Sequence, residues 1–529
     1  MNQNSNKRLF VNLSANIVSY SANILIAFVL TPYLINTLGK ETYSFYPIAN
    51  NFVAYMCILT NALNSMASRF VTVSIVKGHM DDAQKYVSSI LFSNIIMGAI
   101  LLIPMIGIVS FLDKIMNVPV NILASIRILF TFVFASMIVN IISSVFGVAT
   151  FVKNRIDLRS IMQLVSGGLK IFLFYTLFKF FTPTIIYVGV VALVVAISES
   201  FFQQYYFKRL LSDIKISIKE FSKKHVKTIL SSGSWNSVNA IGSLLLTSSS
   251  LIMANIIYGA ASGGIYSIVN TVPIFINGII SMLVGVFAPT VTYSYAQGNK
   301  TELLHDMEKA QSMIGFFSCS VLVVFICLSK FFFMLWTPLE NADQLFLLSA
   351  ITVVPHFFIG CFWSLTNLNI AANKVAMPAI VQLCLGVLNI ILVVILSQLF
   401  PAGLVTICIV CSSLTLVLVL FFLPLYAAFY LRVSYLTFYK VAFRMIFSTV
   451  LLIMLFAFLV PHLYLANWFG LVGNGILLGI IALALNFLFM FNRQTQHNLL
   501  IKLKTKLFRC CTKFYKTDLR HGYVILYAY

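Results

Sequence analysis

The sequence predicts an all-α polytopic membrane protein of about 14 transmembrane helices, built as two parallel six-helix lobes plus two extra C-terminal helices. Three observations predict this fold. Of the 529 residues, 60% are hydrophobic and only 9% are charged. A helix that spans a bilayer needs about 20 mostly apolar residues, and the chain contains fourteen such stretches. Residues 10–78 also reappear without a gap 220 positions later, which indicates two related halves.

The fourteen apolar stretches are separated by short polar segments, so the number of helices stays open by one or two. Two of the stretches, the fourth and the twelfth, are long enough to predict tilt or an interfacial end. In chain order the predicted spans are 10–38, 43–70, 87–112, 119–150, 160–181, 183–207, 228–258, 265–292, 311–336, 345–370, 375–400, 402–431, 441–463 and 467–491.

The internal repeat pairs residue 10 with residue 230 and continues for 69 positions, of which thirteen match in type. That is about 19%, against roughly 7–8% by chance in so apolar a composition. Hydrophobic bias does not generate matches such as Asn16 with Asn236 or Gly39 with Gly259. Six spans separate the two copies, so both enter the membrane in the same direction. This predicts parallel repeats, related by an axis along the membrane normal.

The repeat also predicts the domain organisation. Each copy opens a six-helix lobe, and the polar segment between the lobes is a linker. The last two spans have no counterpart in the repeat. The predicted segments are an N-terminal lobe at 1–207, a basic cytoplasmic linker at 208–227, a C-terminal lobe at 228–431, helices 13 and 14 at 432–491, and a basic cytoplasmic tail at 492–529.

The formal net charge is +21, and the basic residues are concentrated on one predicted side of the membrane. With the N-terminus inside, 29 of the 35 Lys and Arg residues fall on predicted cytoplasmic segments. This asymmetry is the positive-inside rule, and it predicts that both termini are cytoplasmic. The basic linker and tail are interpreted as segments attracted to anionic membrane lipids. Nucleic acid is therefore not a predicted partner.

A polar stripe runs along one face of the first span. Asn12, Asn16, Ser19 and Asn23 share a helix face by their spacing. Their repeat partners in span seven are also polar, and the stripe there continues deeper. Those positions are Ser232, Asn236, Asn239, Ser243, Thr247 and Ser250. One interpretation is hydrogen bonding between helices. The other, which the recurrence in both halves favours, is the wall of a hydrated cavity that binds substrate.

Three ionisable residues lie inside predicted spans, where charge is costly and usually functional. Arg127 has no carboxylate at its depth, so its guanidinium either reaches the outer interface or faces a wet interior. Lys170 and Glu199 lie at similar depth and could form a structural ion pair. Otherwise Lys170, with Arg127, is a candidate substrate-binding cation and Glu199 a coupling site. Arg69, at the end of span two, is a topological anchor or the cytoplasmic entrance of a substrate path.

The sequence does not predict an enzyme. Loops outside the tail do not exceed about 20 residues, which leaves no room for a soluble catalytic domain. It contains no GxxxxGK[ST] motif for binding nucleotide. Cys408 and Cys411 have CxxC spacing but lie in an apolar span with no histidine nearby in sequence. No metal and no cofactor are therefore predicted.

Short motifs in a fixed order carry a family resemblance. They are TPYLI at 31–35 leading to Leu38-Gly39 and Tyr43, SRF at 68–70, GSWN at 233–236, and Gly259 followed by Tyr266. Together with the fourteen spans and the six-plus-six repeat, they resemble the polysaccharide flippases of the multidrug/oligosaccharidyl-lipid/polysaccharide exporter superfamily. The resemblance covers roughly residues 8–430 and rests on layout and spacing.

The resemblance implies a pair of six-helix lobes around a central cavity that works by alternating access. It implies a flippase in the bacterial cytoplasmic membrane that moves an undecaprenyl-diphosphate-linked oligosaccharide to the outer leaflet. Partners would be that lipid-linked substrate, membrane lipids, and a polysaccharide polymerase and glycosyltransferases. Relatives that flip the peptidoglycan precursor often carry Arg and Asp on spans one and seven. This chain has Asn and Ser there, so that charged site does not transfer.

Two alternatives stay open at this stage. The first is a cation-coupled multidrug antiporter of the same superfamily, which generally relies on carboxylates inside the membrane. Glu199 is the residue that could serve it. The second is a scaffold in polysaccharide assembly that transports nothing.

Overall fold

A computed structural model describes residues 3–153, 155–400, 402–491 and 496, and every regular element in that part of the chain is helical. A helix satisfies all of its backbone hydrogen bonds within one segment, which is required where no water is present to do so. Thirteen segments are long and apolar enough to cross a membrane. The predicted all-α polytopic fold is therefore confirmed.

Fourteen helical segments follow one another in the described part of the chain, and each corresponds to one predicted span. Short helical pieces extend the fourth, seventh, tenth and twelfth segments, and a π-helical stretch lies at Val417–Phe422. The segments are α1 Gln3–Leu38, α2 Lys40–Val76, α3 Met80–Ser110, α4 Leu123–Ser143 with Val148–Val152, α5 Ile156–Phe180, α6 Ile186–Leu210, α7 Lys223–Thr247 with Ser249–Tyr258, α8 Ala260–Ala296, α9 Lys300–Trp336, α10 Ala342–Phe362 with Ser364–Ala371, α11 Ala376–Leu399, α12 Leu404–Leu416 with Leu423–Leu431, α13 Tyr439–Leu459 and α14 Trp468–Met490.

The helix boundaries repeat the 220-residue period of the sequence. The second and eighth helices each contain 37 residues, and they begin 220 positions apart, as do α3 and α9. Gly39 and Gly259 begin the paired helices with φ of 83° and 87°, and Gly78 and Gly298 follow them with φ of 78° and 72°. Only glycine adopts this left-handed backbone without steric cost. The positive φ explains why glycine occurs at these matched positions. The backbone conformation therefore repeats together with the sequence.

The described residues divide into two compact units. Unit 1 comprises 3–278, 332–355 and 372–423, and unit 2 comprises 279–331, 356–371 and 424–491. The two-lobe organisation inferred from the repeat is a different division of the chain, and it stays a prediction. The segment 492–529, predicted as a cytoplasmic tail, lies outside the described residues except for residue 496.

Close helix crossings in unit 1 depend on glycine. A Cβ at Gly242 of α7 would lie 2.5 Å from the backbone nitrogen of Leu383 in α11. In return, a Cβ at Gly386 of α11 would lie 2.8 Å from the carbonyl oxygen of Gly242. In α6, a Cβ at Gly189 would lie 2.9 Å from the Phe132 side chain of α4. Small residues let membrane helices approach closely, so dispersion and backbone contacts stabilise these pairs.

Unit 2 contains α13 and α14, which are joined to the part of α9 in the same unit by buried polar groups. The Asn486 carboxamide of α14 donates a hydrogen bond to the Ser320 hydroxyl of α9 over 2.7 Å. The Ser448 hydroxyl of α13 donates to the same carboxamide oxygen. Nearer the helix ends, Arg444 pairs with Glu308 at 3.1 Å. The two helices without a repeat counterpart are thus attached by specific hydrogen bonds, which apolar packing alone would not orient.

Candidate functional site

The polar stripe of α1 is divided between exposed and buried side chains. Asn16 and Asn23 are exposed, whereas Ser19 is fully buried and donates a hydrogen bond to the Gln163 carboxamide oxygen of α5 over 3.0 Å. Asn23 also donates to the backbone oxygen of Ser19 over 2.9 Å. Ser19 therefore belongs to a helix contact, while the two asparagines remain available to a solvent-filled space. Asn12 lies outside the described side chains.

The stripe of α7 is more uniformly open. Asn236, Asn239 and Thr247 are exposed and Ser243 is half-buried, whereas Ser250 at the deep end is fully buried. Ser232 lies outside the described side chains. An exposed carboxamide in contact with lipid would lack hydrogen-bond partners, at a cost of several kcal/mol. Exposed asparagines at the repeat-related positions 16 and 236 therefore favour a water-filled wall on both helices, and that role stays a prediction.

Thiol labelling tests whether these faces are wet. Cysteines introduced by Asn16→Cys and Asn236→Cys should react with a small water-soluble maleimide, because the reactive thiolate forms in water. Val18 is a matched control, since it is 56% exposed but lies on the opposite face of α1. Val18→Cys should stay unlabelled in membranes because lipid covers it. Equal labelling at positions 16 and 18 would contradict the assignment of the polar face to a cavity.

The structure corrects the expectation for Arg127. Its guanidinium pairs with the Asp113 carboxylate at 2.8 Å and donates to the Ser110 backbone oxygen over 3.0 Å. The prediction that no carboxylate lies at this depth was wrong, because the short helix Leu112–Ile115 after α3 carries Asp113 to the start of α4. Both side chains are about 40% exposed, so the pair contributes little to stability. A role for Arg127 in binding substrate stays a prediction.

Lys170 and Glu199 do not form a direct ion pair in the described part of the chain. Both are half-buried, on α5 and α6 respectively. The Glu199 carboxylate lies within electrostatic range of two cations, Arg159 as well as Lys170. Even with Glu199 ionised, this group of three side chains carries a net charge of +1. The predicted roles of Lys170 and Glu199 remain predictions. Arg69, the candidate cytoplasmic entrance, is exposed on α2, which continues to Val76.

A polar cavity of about 510 Å³ lies inside unit 1, and Arg159 forms part of its wall. It is bounded by α2, the end of α4 with its continuation, α5 and α6. Its wall contains carboxamides, hydroxyls and one guanidinium, with apolar patches from Phe146 and Phe151. The polar lining includes Asn64, Ser68, Asn140, Thr150, Arg159 and Gln203. The predicted topology places this cavity at the cytoplasmic end of the helices.

A buried hydrogen-bond network holds part of the cavity wall. Asn94 of α3 is fully buried, and its carboxamide nitrogen donates to the Asn64 side-chain oxygen over 3.1 Å and to the Ile141 backbone oxygen over 3.0 Å. The Ser144 hydroxyl donates to the same Asn64 oxygen over 3.0 Å. The network links α2, α3 and the end of α4. It fixes the orientation of Asn64, because both donors approach the same oxygen.

This cavity was not among the sites predicted from the sequence. Its signal was present as pairs of polar residues four positions apart inside apolar stretches, Asn64 with Ser68 and Asn140 with Ser144. Such a pair marks one helix face. Arg159 had been counted only among the cytoplasmic charges, because it lies at the start of its helix. Nothing in either stretch alone indicates that the two polar faces meet.

At the predicted outer end of unit 1, the first repeat copy contacts segments of the predicted C-terminal lobe. We call Phe28, Lys40, Gly264, Trp336 and Glu340 the outer closure. The Lys40 ammonium pairs with the Glu340 carboxylate at 2.8 Å, and the Glu340 side chain is only 8% exposed. A Cβ at Gly264 would lie 2.6 Å from the Lys40 backbone oxygen, so α8 touches the α1–α2 turn. This ion pair is better shielded from solvent than the exposed pair at Arg127.

Aromatic rings and an asparagine extend this contact. Trp336 stacks on Phe28 with ring centroids 5.6 Å apart, and its indole N–H donates to the Phe28 backbone oxygen over 2.9 Å. Asn117, in the turn after α3, donates to the backbone oxygens of Asn255 and Ile256 over 3.0 and 2.8 Å. These contacts join α1–α3 to α7 and to the end of α9. None of these contacts was predicted from the sequence.

Known proteins resemble this chain in sequence and in fold. The profile of a family described as polysaccharide biosynthesis protein matches residues 9–294. The uncharacterized membrane protein EpsK of Bacillus subtilis (strain 168) is 30% identical over 390 residues, which cover 73% of this chain and 76% of EpsK.

Two solved structures show the same fold at low identity. An inward-facing multidrug resistance MATE family transporter of the MOP superfamily superposes with a TM-score of 0.65 at 14% identity, covering 80% of this chain and 98% of that one. The lipid II flippase MurJ, in an inward closed conformation, gives 0.64 at 13% identity, covering 90% and 98%. These likenesses show that the chain has the fold that the resemblance implied. The chain belongs to the polysaccharide biosynthesis protein family.

Proposed function

We propose that this protein is a flippase that moves a lipid-linked oligosaccharide from the inner to the outer leaflet of a bacterial cytoplasmic membrane by alternating access. The observation that carries the proposal is the pair of exposed asparagines, Asn16 and Asn236, at equivalent positions of the two repeat copies. Neutral carboxamides suit sugar hydroxyls, to which they both donate and accept hydrogen bonds. Membership of a polysaccharide biosynthesis family supports a sugar substrate.

The outer closure supports the alternating-access part of the proposal. Alternating access requires contacts at one end that break when the substrate leaves. The outer closure joins the first repeat copy to segments of the predicted C-terminal lobe through one ion pair, one aromatic stack and one indole hydrogen bond. Such contacts are strong enough to define a closed state and few enough to be broken together. We propose that they separate when the substrate passes to the outer leaflet.

Electrical work favours outward movement of such a substrate. A diphosphate carries about two negative charges, and the cell interior is negative. Moving each charge across 100 mV releases roughly 2.3 kcal/mol, so two charges release about 4–5 kcal/mol when no cation accompanies them. Lys170 and Arg159 outnumber Glu199 in the charge group of α5 and α6, so the protein does not repel an anion there. We propose that membrane potential contributes to the driving force.

Two other functions remain as alternatives. A cation-coupled multidrug antiporter would need a carboxylate that exchanges protons or sodium, and Glu199 is the candidate because it is half-buried within a predicted span. A scaffold for a polymerase and glycosyltransferases would need no conducting path. The scaffold alternative does not explain why exposed carboxamides occur on the same face of both repeat copies.

A reconstituted flipping assay distinguishes the three functions. Purified protein is placed in liposomes containing a fluorescent lipid-linked oligosaccharide, and outward movement is followed with a quencher under a potassium-diffusion potential set by valinomycin. We expect movement to accelerate with an outside-positive potential and to persist in Glu199→Gln. Rates that ignore the potential, follow a proton or sodium gradient and vanish in Glu199→Gln would overturn the potential-driven mechanism and favour cation coupling through Glu199, as in the antiporter alternative. If folded protein moves no lipid-linked oligosaccharide under any gradient, the scaffold function is favoured.

A further inference from the structure

We propose that the 510 Å³ cavity among α2, α4, α5 and α6 binds the phosphate-bearing end of the substrate together with its first sugar, with Arg159 contacting the phosphate. The inference rests on the proposed flippase function and deepens it. It assigns a specific part of the substrate to a site inside one unit, separate from the exposed stripes of α1 and α7. At the predicted cytoplasmic end, such a site would receive the substrate before translocation.

Charge around the cavity favours an anion. Arg159 is exposed and forms no direct ion pair with any other described residue. Its neighbour Arg155 differs, because two of its guanidinium nitrogens each donate to a different oxygen of Asp157 over 3.0 Å. Glu199 lies in electrostatic range of Arg159 but shares its charge with Lys170. The planar guanidinium of Arg159 is therefore free to donate two parallel hydrogen bonds to a phosphate.

The remaining lining fits a sugar. Asn140 and Gln203 add carboxamides to the wall, and Ser68 and Thr150 add hydroxyls. Carboxamides and hydroxyls both donate and accept, which matches the mixed capacity of sugar hydroxyls. Phe146 and Phe151 add apolar surface. A small number of polar groups at fixed positions, beside an apolar wall, is typical of a site that binds a small molecule.

The size of the cavity excludes a bare anion as the best ligand. A volume of about 510 Å³ lies in the range of sites for drug-sized molecules, roughly 300–1,000 Å³. An inorganic phosphate would occupy a small part of that space and leave the carboxamides to water. A sugar joined to a phosphate group would reach both Arg159 and the carboxamides. The network of Asn94, Asn64 and Ser144 holds one wall in place before the ligand arrives.

Binding to the purified full-length protein tests the site. The probe is a short-chain prenyl diphosphate carrying one hexosamine, and its affinity is measured by calorimetry in detergent. We expect Arg159→Gln to weaken binding about 10-fold to 100-fold, as loss of a charge-assisted contact does. Arg159→Lys should recover part of that loss. Lys153→Gln removes the same charge at an exposed position that does not line the cavity, and should change affinity less than about threefold.

Further probes separate the phosphate from the sugar. Asn140→Leu should weaken the hexosamine-bearing probe about 10-fold and leave the same prenyl diphosphate without sugar unchanged. The proposal is overturned if folded Arg159→Gln binds like wild type, if inorganic phosphate competes as well as the full probe, or if Asn140→Leu affects both probes equally. If Arg159→Gln binds the probe like wild type while the wild-type protein flips its substrate normally, the proposed binding site is wrong and the flippase function stands. Normal binding without flipping overturns the flippase function alone.

Discussion

Crosslinking the outer closure is expected to stop transport almost completely. Lys40→Cys and Glu340→Cys are combined in a chain whose nine native cysteines have been replaced, and a short bifunctional thiol crosslinker is added from outside. The crosslinker covalently ties the α1–α2 turn to the segment that follows α9. If the outer end must open to release the substrate, a covalent bridge between positions 40 and 340 prevents every turnover, not only some of them.

The measurement is flipping of a fluorescent lipid-linked oligosaccharide in proteoliposomes, before and after crosslinking. The bridged positions are well placed because the Lys40 and Glu340 charged atoms lie 2.8 Å apart. Each single variant, treated with the same reagent, should keep most of its activity, which controls for modification of one thiol. Cleaving the crosslinker should restore the rate. A bridged protein that transports at the rate of the single variants would show that this end does not open during transport.

The second large effect is expected from Gly242→Leu, which should prevent α7 from packing against α11. A Cβ at position 242 would lie 2.5 Å from the Leu383 nitrogen and 2.6 Å from the Gln382 carbonyl carbon. These are backbone atoms, so no side chain can rotate away and the helices themselves must separate. Adding side-chain volume to a packed interior commonly costs about 1–3 kcal/mol. A leucine facing backbone should exceed that range, and we expect little monodisperse protein.

The measurement is size-exclusion elution and thermal unfolding of the fluorescently tagged protein in detergent. Gly168→Leu is the matched control, because a Cβ at Gly168 of α5 meets nothing within 4 Å. Leucine favours helix over glycine, so the control should be neutral or slightly more stable. Gly242→Ala should give an intermediate loss of thermal stability. If Gly242→Leu and Gly168→Leu elute and unfold alike, the two helices are not held at the distance seen here.

The helical elements and their repetition can be predicted from the sequence. Long apolar runs must be helical in a bilayer, so the helical segments followed from the distribution of apolar residues along the chain. The glycine pairs at 39 and 259 and at 78 and 298 marked the same turns in both copies, because their backbone needs positive φ. The family resemblance rested on that order and spacing, and the family match over residues 9–294 and the 30% identity to EpsK confirm it.

Only the tertiary structure decided which polar side chains meet. Ser19 and Asn16 share one predicted stripe, yet Ser19 is buried against Gln163 and Asn16 is exposed. Arg127 forms an ion pair with Asp113 because the short helix after α3 brings Asp113 close to the start of α4. The cavity beside Arg159 joins four segments separated by up to about 140 positions. Periodicity along one helix reports which face is polar. It does not report which neighbour covers that face, because this is set by contacts between helices distant in sequence.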